Sequence, residues 1–258
     1  MNKAIIGGTG VSSLPNLRGP VTTSTPYGDV ETYTFSVNGE EILFLPRHGN
    51  KHTTPPHMIP YRANMYALKE LGISYIYALA TSGSIDPHIG VGSIVVIDDF
   101  LDFTTNRVKT FFDGKDSVVA HTDMSDPYCA NLRKLFIDKA KQKEITIVPK
   151  GVYVCTDGPR FESKSEIAMY KILKGDIVGM TGIPEVLLAK ELGMCYASIG
   201  LISNMACGVN DENLASIDHK SEIVQAKNDT INIISDLFNS TNIDQKMCEC
   251  ATSVLYLS

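Results

Sequence analysis

The feature that most constrains the fold of this chain is a series of three short apolar runs between Gly151 and Gly208. The runs cover Val152–Cys155, Ile177–Met180 and Cys195–Ile202. Runs of this length, bounded by Gly and Pro, are typical of buried strands. A sheet of buried strands needs helices to cover it, so the runs predict an α/β fold.

Small and polar residues follow each of these runs. Phe161–Glu162, Met180–Gly182 and Ser203–Asn204 stand where the three strands are predicted to end. An open α/β sheet binds its ligand at the ends of its strands. Any one of these clusters is also compatible with an ordinary turn, but three in one region predict a binding site.

Strands and helices alternate along the rest of the chain. No repeat, low-complexity segment or linker interrupts them, so the sequence predicts a single domain over residues 1–258. Apolar periodicity and Gly or Pro boundaries define the remaining elements. The predicted strands are Lys3–Ile6, Ile42–Leu45, Ser74–Ala80 and Ile94–Ile97, and the predicted helices are Pro60–Leu71, Leu132–Lys143, Pro184–Leu192 and Ser221–Phe238.

The charge balance argues against two classes of partner. The formal net charge is −6 and no basic run occurs, so neither nucleic acid nor a membrane surface is expected to bind. No apolar stretch is long enough to cross a bilayer, and the first residues do not resemble a signal peptide. We therefore expect a cytoplasmic protein.

The six cysteines give no metal-binding pattern, because no pair has the spacing of a zinc finger. In a chain without an export signal they are expected to be buried thiols. Cys248-Glu249-Cys250 is the exception, since two cysteines this close in sequence could instead form a redox-active or disulfide pair. The sequence predicts no metal site.

A glycine-rich turn, Gly7–Gly10, follows the first predicted strand. Such a turn exposes backbone N–H groups and lets an anion approach closely, and the Thr9 hydroxyl adds a donor. The turn lacks the helix and the distant acidic residue of a dinucleotide-binding motif, so phosphate matches it better than NAD. A plain tight turn is the alternative.

Two further loops carry groups suited to an oxyanion. The segment Pro46–His52 holds Arg47, His48 and His52 directly after a predicted strand. An arginine there could bind an oxyanion through two parallel hydrogen bonds. A solvated loop could hold these same residues. The small residues Thr81–Ser84 follow the next strand and give a second turn suited to an oxyanion.

Five motifs, in order along the chain, resemble those of the trimeric purine nucleoside phosphorylase and methylthioadenosine phosphorylase family. They are IIGGTG at Ile5–Gly10, PRHGNKH at Pro46–His52, YRANMYALKELG at Tyr61–Gly72, TDGPRFES at Thr156–Ser163 and VGMTGIPEVLLAKELG at Val178–Gly193. The resemblance runs from Lys3 to Phe238 and leaves residues 240–258 as a C-terminal tail.

This resemblance implies a three-layer phosphorylase fold, in which a mixed, twisted and partly barrel-like sheet is flanked by helices. It also implies phosphorolysis, in which inorganic phosphate attacks the anomeric carbon of a purine nucleoside and gives ribose 1-phosphate and the free base. No metal or organic cofactor is then needed, because phosphate is a co-substrate. The family implies a homotrimer or a dimer of trimers.

The resemblance also assigns roles to individual residues. Arg47, His48 and Asn204 would be catalytic, Met180 would lie against the ribose, and Phe161 would pack on the base. Ala80 stands where methylthioadenosine phosphorylases carry a threonine, which would remove one hydroxyl contact to phosphate. The phosphate site would comprise Thr9, Arg47, His48, Thr81 and Thr181.

Two positions of the implied base site indicate a 6-oxopurine. Relatives that accept adenine carry aspartates where this chain has Asn204 and Ala206. An amide can donate to a purine O6 and accept from a protonated N7, whereas an ionised carboxylate cannot donate. Glu162 would accept from the N1–H of hypoxanthine or guanine but would oppose the N1 acceptor of adenine.

The residues implied at the 5′ end of the sugar point in two directions. His52 and Ile217 resemble the methylthio-accepting branch, and His121 corresponds to a residue contributed there by a neighbouring subunit. Lys220 and Ser221 replace aliphatic residues of that branch and would make the pocket more polar. Inosine and guanosine are the expected substrates, methylthioinosine or methylthioadenosine the alternative, and a non-catalytic nucleotide- or phosphate-binding module the alternative of another class.

Overall fold

The computed structural model describes residues 1–9, 14, 16–37, 39–114, 118–211, 214 and 220–257, without the side chains of residues 220 and 221. None of the helices within these ranges is both long and apolar enough to cross a membrane. The helices are α1 Tyr61–Glu70, α2 Ala130–Gln142, α3 Lys164–Ile172, α4 Gly182–Glu191 and α5 Lys220–Ser240. The strands are β1 Lys3–Gly7, β2 Arg18–Thr25, β3 Gly28–Val37, β4 Glu40–Pro46, β5 Tyr75–Ser84, β6 Ile94–Val96, β7 Asp99–Asp102, β8 Val119–Thr122, β9 Val152–Cys155, β10 Ile177–Gly179, β11 Cys195–Met205 and β12 Val254–Leu257.

Most of the strands join one mixed sheet, which has ten strands within the described ranges and the central order β2-β3-β4-β1-β5-β10-β9-β7. β1 runs parallel to both β4 and β5, and β11 runs parallel to β5 beside them. β2, β3 and β4 form an antiparallel meander, and β10 is antiparallel to β5. The central path ends at β2 and β7, so this sheet is open and not a closed barrel in the part of the chain that the structure describes.

The side chains of β5 alternate between two apolar cores, one on each face of the sheet. Ile76 and Ala78 belong to the core that α1 and α4 cover. Tyr77 and Leu79 belong to the core that α2 and α5 cover, where the Tyr77 hydroxyl donates to the carbonyl of Leu132 at 2.7 Å. The alternation follows from the two-residue period of a strand. The predicted α/β architecture, with helices on both sides of a mixed sheet, is confirmed.

All predicted strands and helices are present, with ends shifted by a few residues. The sequence analysis missed α3, the hairpin β2–β3, and the short strands β7, β8 and β12. β2 is exposed along most of its length, so it shows no apolar run or alternation. One prediction about position was wrong: Phe161 and Glu162 do not end β9, which stops at Cys155, but lie in the turn that leads into α3.

The C-terminal tail is bound to the body of the protein. Beyond Ser240, the Tyr75 hydroxyl donates to the carbonyl of Ile243 at 2.7 Å, and Gln245 Nε2 donates to the carbonyl of Gly193 at 2.9 Å. β12 pairs antiparallel with β8 to form a separate two-stranded ribbon. The tail therefore connects the start of β5 to this ribbon.

Candidate active site

A cavity of about 260 Å³ lies where β1, β4, β5, β10 and β11 end. Four of these strands are parallel neighbours, so the residues that follow them meet at one edge of the sheet. Nine predicted site residues line the cavity. They are an anion set of Thr9, Arg47, His48, Thr81 and Thr181, and a base set of Phe161, Glu162, Met180 and Asn204.

Arg47 is buried, and protein groups fix its guanidinium. Nε and Nη2 donate to the two carboxylate oxygens of Glu185 at 2.7 and 2.6 Å, and Nη1 donates to the carbonyl of Leu79 at 2.8 Å. The pair of parallel bonds that the sequence suggested for an oxyanion is therefore made to Glu185, because a buried guanidinium needs a counter-charge. A guanidinium has five N–H groups, so two are left for a ligand in the cavity.

Glu185 is the residue that makes a buried Arg47 possible. It has no exposed surface, and its carboxylate also accepts from the Tyr196 hydroxyl at 2.7 Å. Burial by itself would lower the pKa of Arg47, but the facing carboxylate raises it above the usual value, so the guanidinium is charged throughout the working pH range. The sequence analysis missed Glu185. A single acid inside the apolar segment Ile183–Ala189 could have indicated it, because a glutamate in a buried segment needs a charged partner.

Gly8 provides the space that Arg47 occupies. A Cβ atom at Gly8 would lie 2.7 Å from Arg47 Nη1 and 2.8 Å from the carbonyl oxygen of Leu79. Both distances are shorter than van der Waals contact, so a side chain here would displace the guanidinium. The glycine-rich turn predicted to admit an anion thus also admits the arginine that would bind one.

His48 is held as a neutral imidazole. Its Nδ1 lies 2.8 Å from the carbonyl oxygen of Thr54, so Nδ1 carries the proton and donates it there. Burial lowers the pKa of His48 to about 4, and the adjacent charge of Arg47 acts in the same direction. Nε2 therefore presents a lone pair at neutral pH. The sequence analysis grouped His48 with residues suited to an oxyanion, but the only N–H proton of its ring is bonded to Thr54 and its Nε2 is an acceptor.

The threonines of the anion set are partly engaged with the protein. The Thr81 hydroxyl donates to the carbonyl of Thr9 at 2.6 Å, which joins the turn after β1 to the end of β5. The backbone N–H groups of Thr181 and Gly182 donate to the Tyr153 hydroxyl at 3.2 and 3.4 Å, a contact that the sequence analysis also missed.

Ala80 directly precedes a cavity-lining residue but does not itself line the cavity. It belongs to the apolar core and has 1% of its surface exposed, whereas the next residue, Thr81, lines the cavity. Successive residues of a strand point to opposite faces of the sheet. The expectation that Ala80 removes a hydroxyl contact to phosphate stays a prediction.

Asn204, in the base set, has half of its amide already bonded. Oδ1 accepts from the Ser203 hydroxyl at 2.7 Å, and Nδ2 donates to the carbonyl of Met205 at 2.9 Å. A carboxamide offers two donor hydrogens and two acceptor lone pairs, so one donor and one acceptor are left. These are the two functions that contacts to a purine O6 and N7–H require.

A β-bulge positions Asn204. Ile202 pairs with Ser82, and the next registered pair is Asn204 with Gly83, so Ser203 is an extra residue in β11. Bulges redirect the side chains beside them and are common next to binding sites. A Cβ atom at Gly83 would lie 3.0 Å from Asn204 Nδ2, so the glycine leaves the amide its place.

Glu162 faces the cavity from the turn before α3. It is 7% exposed, and its Oε1 accepts from the Thr156 hydroxyl at 2.7 Å, which leaves Oε2 available as an acceptor. A capping box fixes the turn: the backbone N–H of Glu166 donates to the Ser163 hydroxyl at 3.2 Å, and that of Ser163 donates to the Glu166 carboxylate at 2.7 Å. Arg160 also binds this carboxylate with two parallel bonds.

Two of the three predicted 5′ residues, His52 and His121, lie outside the lining of the cavity. His52 packs on His48 with ring centroids 4.5 Å apart, and its Nε2 lies 3.4 Å from the Thr9 hydroxyl, but it does not line the cavity. His121 is exposed on β8, opposite Leu255 of β12, and its contact with a neighbouring subunit stays a prediction. Ile217 lies outside the described residues.

Comparison with known proteins gives one consistent family. A model of the phosphorylase superfamily matches residues 2–239. The chain is 45% identical to the 6-oxopurine nucleoside phosphorylase of Pyrococcus furiosus, over 88% of both proteins. It is also 45% identical to the probable S-methyl-5′-thioinosine phosphorylase of Methanothermobacter thermautotrophicus, over 95% of this chain and 86% of that protein. The crystal structure of a methylthioadenosine phosphorylase from an Antarctic soil metagenomic library matches with a TM-score of 0.87 and 32% identity, over 98% of this chain and 90% of that one.

Proposed function

Since the chain belongs to the phosphorylase superfamily, we propose that it catalyses the phosphorolysis of 6-oxopurine nucleosides such as inosine and guanosine. A phosphate oxygen attacks C1′ of the sugar as the bond from C1′ to N9 of the base breaks, and the products are ribose 1-phosphate and the free purine. Neither a metal ion nor an organic cofactor takes part in this reaction.

The observation that carries the proposal is the base set, in which an amide and a carboxylate line one cavity. Asn204 keeps one donor for O6 and one acceptor for N7–H, and Glu162 keeps Oε2 to accept from N1–H. Adenine has an amino group in place of O6, and its N1 carries no hydrogen. Its N1 would therefore place an acceptor against the carboxylate of Glu162. A mismatched buried polar pair costs about 1–3 kcal/mol, which is enough for a strong preference.

The same amide accounts for activation of the leaving base. As the glycosidic bond breaks, its electron pair passes to N9 and negative charge develops over the purine, and a proton taken from solvent at N7 neutralises that charge. Asn204 Oδ1 would accept from N7–H while Nδ2 donates to O6, so both bonds strengthen as charge develops. Asn204 is therefore the proposed catalytic residue at the base.

The anion set would position the nucleophile. The two remaining N–H groups of Arg47 and the backbone of residues Gly7–Thr9 would bind phosphate oxygens, with the Thr9, Thr81 and Thr181 hydroxyls around them. His48 Nε2 would accept a hydrogen bond from a protonated phosphate oxygen. If phosphate binds as the dianion, Nε2 would instead take up a proton from solvent and donate it to a phosphate oxygen. Because Glu185 fixes the guanidinium in advance, little reorganisation is needed when phosphate enters.

A second candidate is phosphorolysis of methylthioinosine or methylthioadenosine. Its support is the 45% identity to a probable S-methyl-5′-thioinosine phosphorylase and the place of His52 beside Thr9 and His48. The base set disfavours methylthioadenosine for the reasons given above. The two 6-oxopurine candidates therefore differ only at the 5′ substituent.

We also propose a homotrimer, alone or as a dimer of trimers, with nucleoside and phosphate as the only ligands that the reaction needs. The β8–β12 ribbon supports it, because Val119, Leu255, Tyr256 and Leu257 are each at least 44% exposed on its surface. Such a patch is typical of an interface between subunits. A subunit seated there would receive His121 next to its own sugar site, and light scattering on a size-exclusion column tests the assembly.

The experiment that tests the function is a substrate panel. Release of free base is measured for inosine, guanosine, methylthioinosine, adenosine and methylthioadenosine, each with and without phosphate. We expect phosphate-dependent release from inosine and guanosine to exceed release from the two 6-aminopurines. Faster turnover of methylthioinosine than of inosine would favour the second candidate. Binding of nucleoside without any phosphate-dependent release would mean a non-catalytic module.

A further inference from the structure

Four of the six cysteines form a cluster far from the cavity. The Sγ atoms of Cys129, Cys195, Cys248 and Cys250 all lie within 4.8 Å of one another. Cys129, Cys195 and Cys250 are buried and Cys248 is half-buried. The cluster joins three parts of the chain, namely the residue before α2, the first residue of β11 and the C-terminal tail.

The spacing of the four sulfur atoms is that of a tetrahedral metal site. A zinc–sulfur bond is about 2.3 Å long, so the sulfur atoms of a tetrahedral tetrathiolate are about 3.8 Å apart. The Sγ atoms of Cys195 and Cys248 are 3.4 Å apart, and every pair of the four is within 4.8 Å. A disulfide would bring two of these sulfur atoms to about 2.05 Å, whereas all four cysteines are free thiols in this structure.

The surroundings suit thiolates. Cys129 is the N-cap of α2, where the free N–H groups of the first turn stabilise negative charge. Lys190 lines the same cleft and donates its ammonium group to the carbonyl of Asp126. A zinc tetrathiolate carries a net charge of −2, and the nearby ammonium offsets part of it.

We propose that Cys129, Cys195, Cys248 and Cys250 bind a structural Zn²⁺ ion that fixes the C-terminal tail to the body of the protein. Four protein ligands leave no open position, so the site is structural and not catalytic. Each thiol releases its proton to solvent on binding, and no electron is transferred. The sequence predicted no metal site because three separate segments supply the ligands and no zinc-finger spacing exists.

The position of the site indicates what it does. Cys195 and Asn204 lie near opposite ends of β11, about 30 Å apart at about 3.3 Å per residue, so the ion would not touch the substrate cavity. Only a few residues separate Cys250 from β12, which pairs with β8 and places Leu255 opposite His121. Zinc would thus stabilise the ribbon that carries His121 and the exposed apolar patch. The inference does not depend on the proposed substrate.

The first test measures metal and thiol state in the full-length wild-type chain, purified with a reducing agent after expression with zinc. Elemental analysis should find one zinc ion per chain that survives gel filtration. Replacement by Co²⁺ should produce the sulfur-to-metal charge-transfer absorption and the visible bands of tetrahedral thiolate coordination. Removal of the ion with a thiol-blocking mercurial and a chelator should lower the melting temperature.

Matched variants assign the ligands. Cys248→Ser and Cys250→Ser should each lose most of the zinc, whereas Cys155→Ser, at a buried thiol outside the cluster, should keep it. The wild-type result stands if a variant fails to fold. Two outcomes would overturn the proposal: a denatured mass lower by the four hydrogens of two disulfides in metal-free protein, or four titratable thiols that bind no added zinc.

Discussion

The anion set and the base set line the same cavity but use their hydrogen-bonding capacity differently. In the anion set, Arg47 has three N–H groups bonded to Glu185 and Leu79, and His48 has its ring proton bonded to Thr54. In the base set, Asn204 and Glu162 each keep a free acceptor, and Asn204 also keeps a donor.

The difference follows from what each set would bind. Phosphate is a compact anion of high symmetry, so the protein gains most by fixing charge in advance, and a buried ion pair does this. A purine is distinguished by the order of donors and acceptors on its edge, so the protein must leave matching groups unpaired until the base arrives. A fixed charged side chain therefore suits phosphate, and hydrogen-bonding groups that are still unpaired suit the purine.

The largest expected effect comes from breaking the ion pair of the anion set. Arg47→Ala leaves Glu185 charged and buried without its partner, which should cost about 3–5 kcal/mol of unfolding free energy. Urea unfolding measures this loss. The double variant Arg47→Met/Glu185→Leu should regain most of the stability but show no saturable phosphate dependence. If Arg47→Ala unfolds like the wild type, the pair does not have the role assigned here.

The next effect sharpens the role of the base set. Asn204→Asp replaces the donor to O6 by an acceptor, so the ratio of kcat/KM for inosine over adenosine should fall by about 10- to 100-fold, corresponding to about 1–3 kcal/mol. Ser203→Ala is the control, because it removes one partner of the amide but leaves both of its functions. An unchanged inosine to adenosine ratio in Asn204→Asp would remove the residue from base recognition.

Two glycines offer a direct test of whether the sets act separately. Gly8→Ala would press on Arg47 Nη1 and the Leu79 carbonyl, and Gly83→Ala on Asn204 Nδ2. We expect Gly8→Ala to raise the KM for phosphate about tenfold, near 1.4 kcal/mol, and Gly83→Ala to raise the KM for inosine by a similar or smaller factor. Two-substrate kinetics measures both constants. Equal changes of both constants in both variants would show that the sets are one unit.

The sheet was predictable where its strands are buried and not where they are exposed. β9, β10 and β11 are apolar runs because both faces of the sheet are covered, and their sequence shows it. β2 and β8 have no buried position, so neither the hairpin pairing of β2 with β3 nor the long-range pairing of β8 with β12 leaves an apolar pattern in the sequence. α3 has a short apolar face but a readable capping box, Ser163 to Glu166, that would have located its start.

The site was predictable as a list of residues and not as a set of contacts. Asn204 and Arg47 were found because polar residues after buried strands meet at one edge of the sheet. Glu185 was not found as the partner of Arg47, since 138 residues separate them in sequence. The cluster of Cys129 and Cys195 with the tail was hidden for the same reason. The sequence does not reveal pairs of this kind without the fold that joins them.

The smallest expected effect concerns the neutral imidazole of the anion set. An unfolded histidine takes up a proton as the pH falls through about 6.5, whereas His48 in the folded protein does so only near pH 4. The unfolded state therefore binds more protons in this window, and the free energy of unfolding falls with decreasing pH, by about 1 kcal/mol between pH 7 and 5.5.

Urea unfolding of the wild type across this pH range, compared with that of His48→Gln, isolates the contribution of His48. The variant should lack this part of the slope, and parallel curves would mean that the pKa of His48 is the same in the folded and unfolded states. Saturating phosphate should flatten the wild-type slope, because an anion bound at Nε2 raises the pKa of the ring; no such change is expected in His48→Gln.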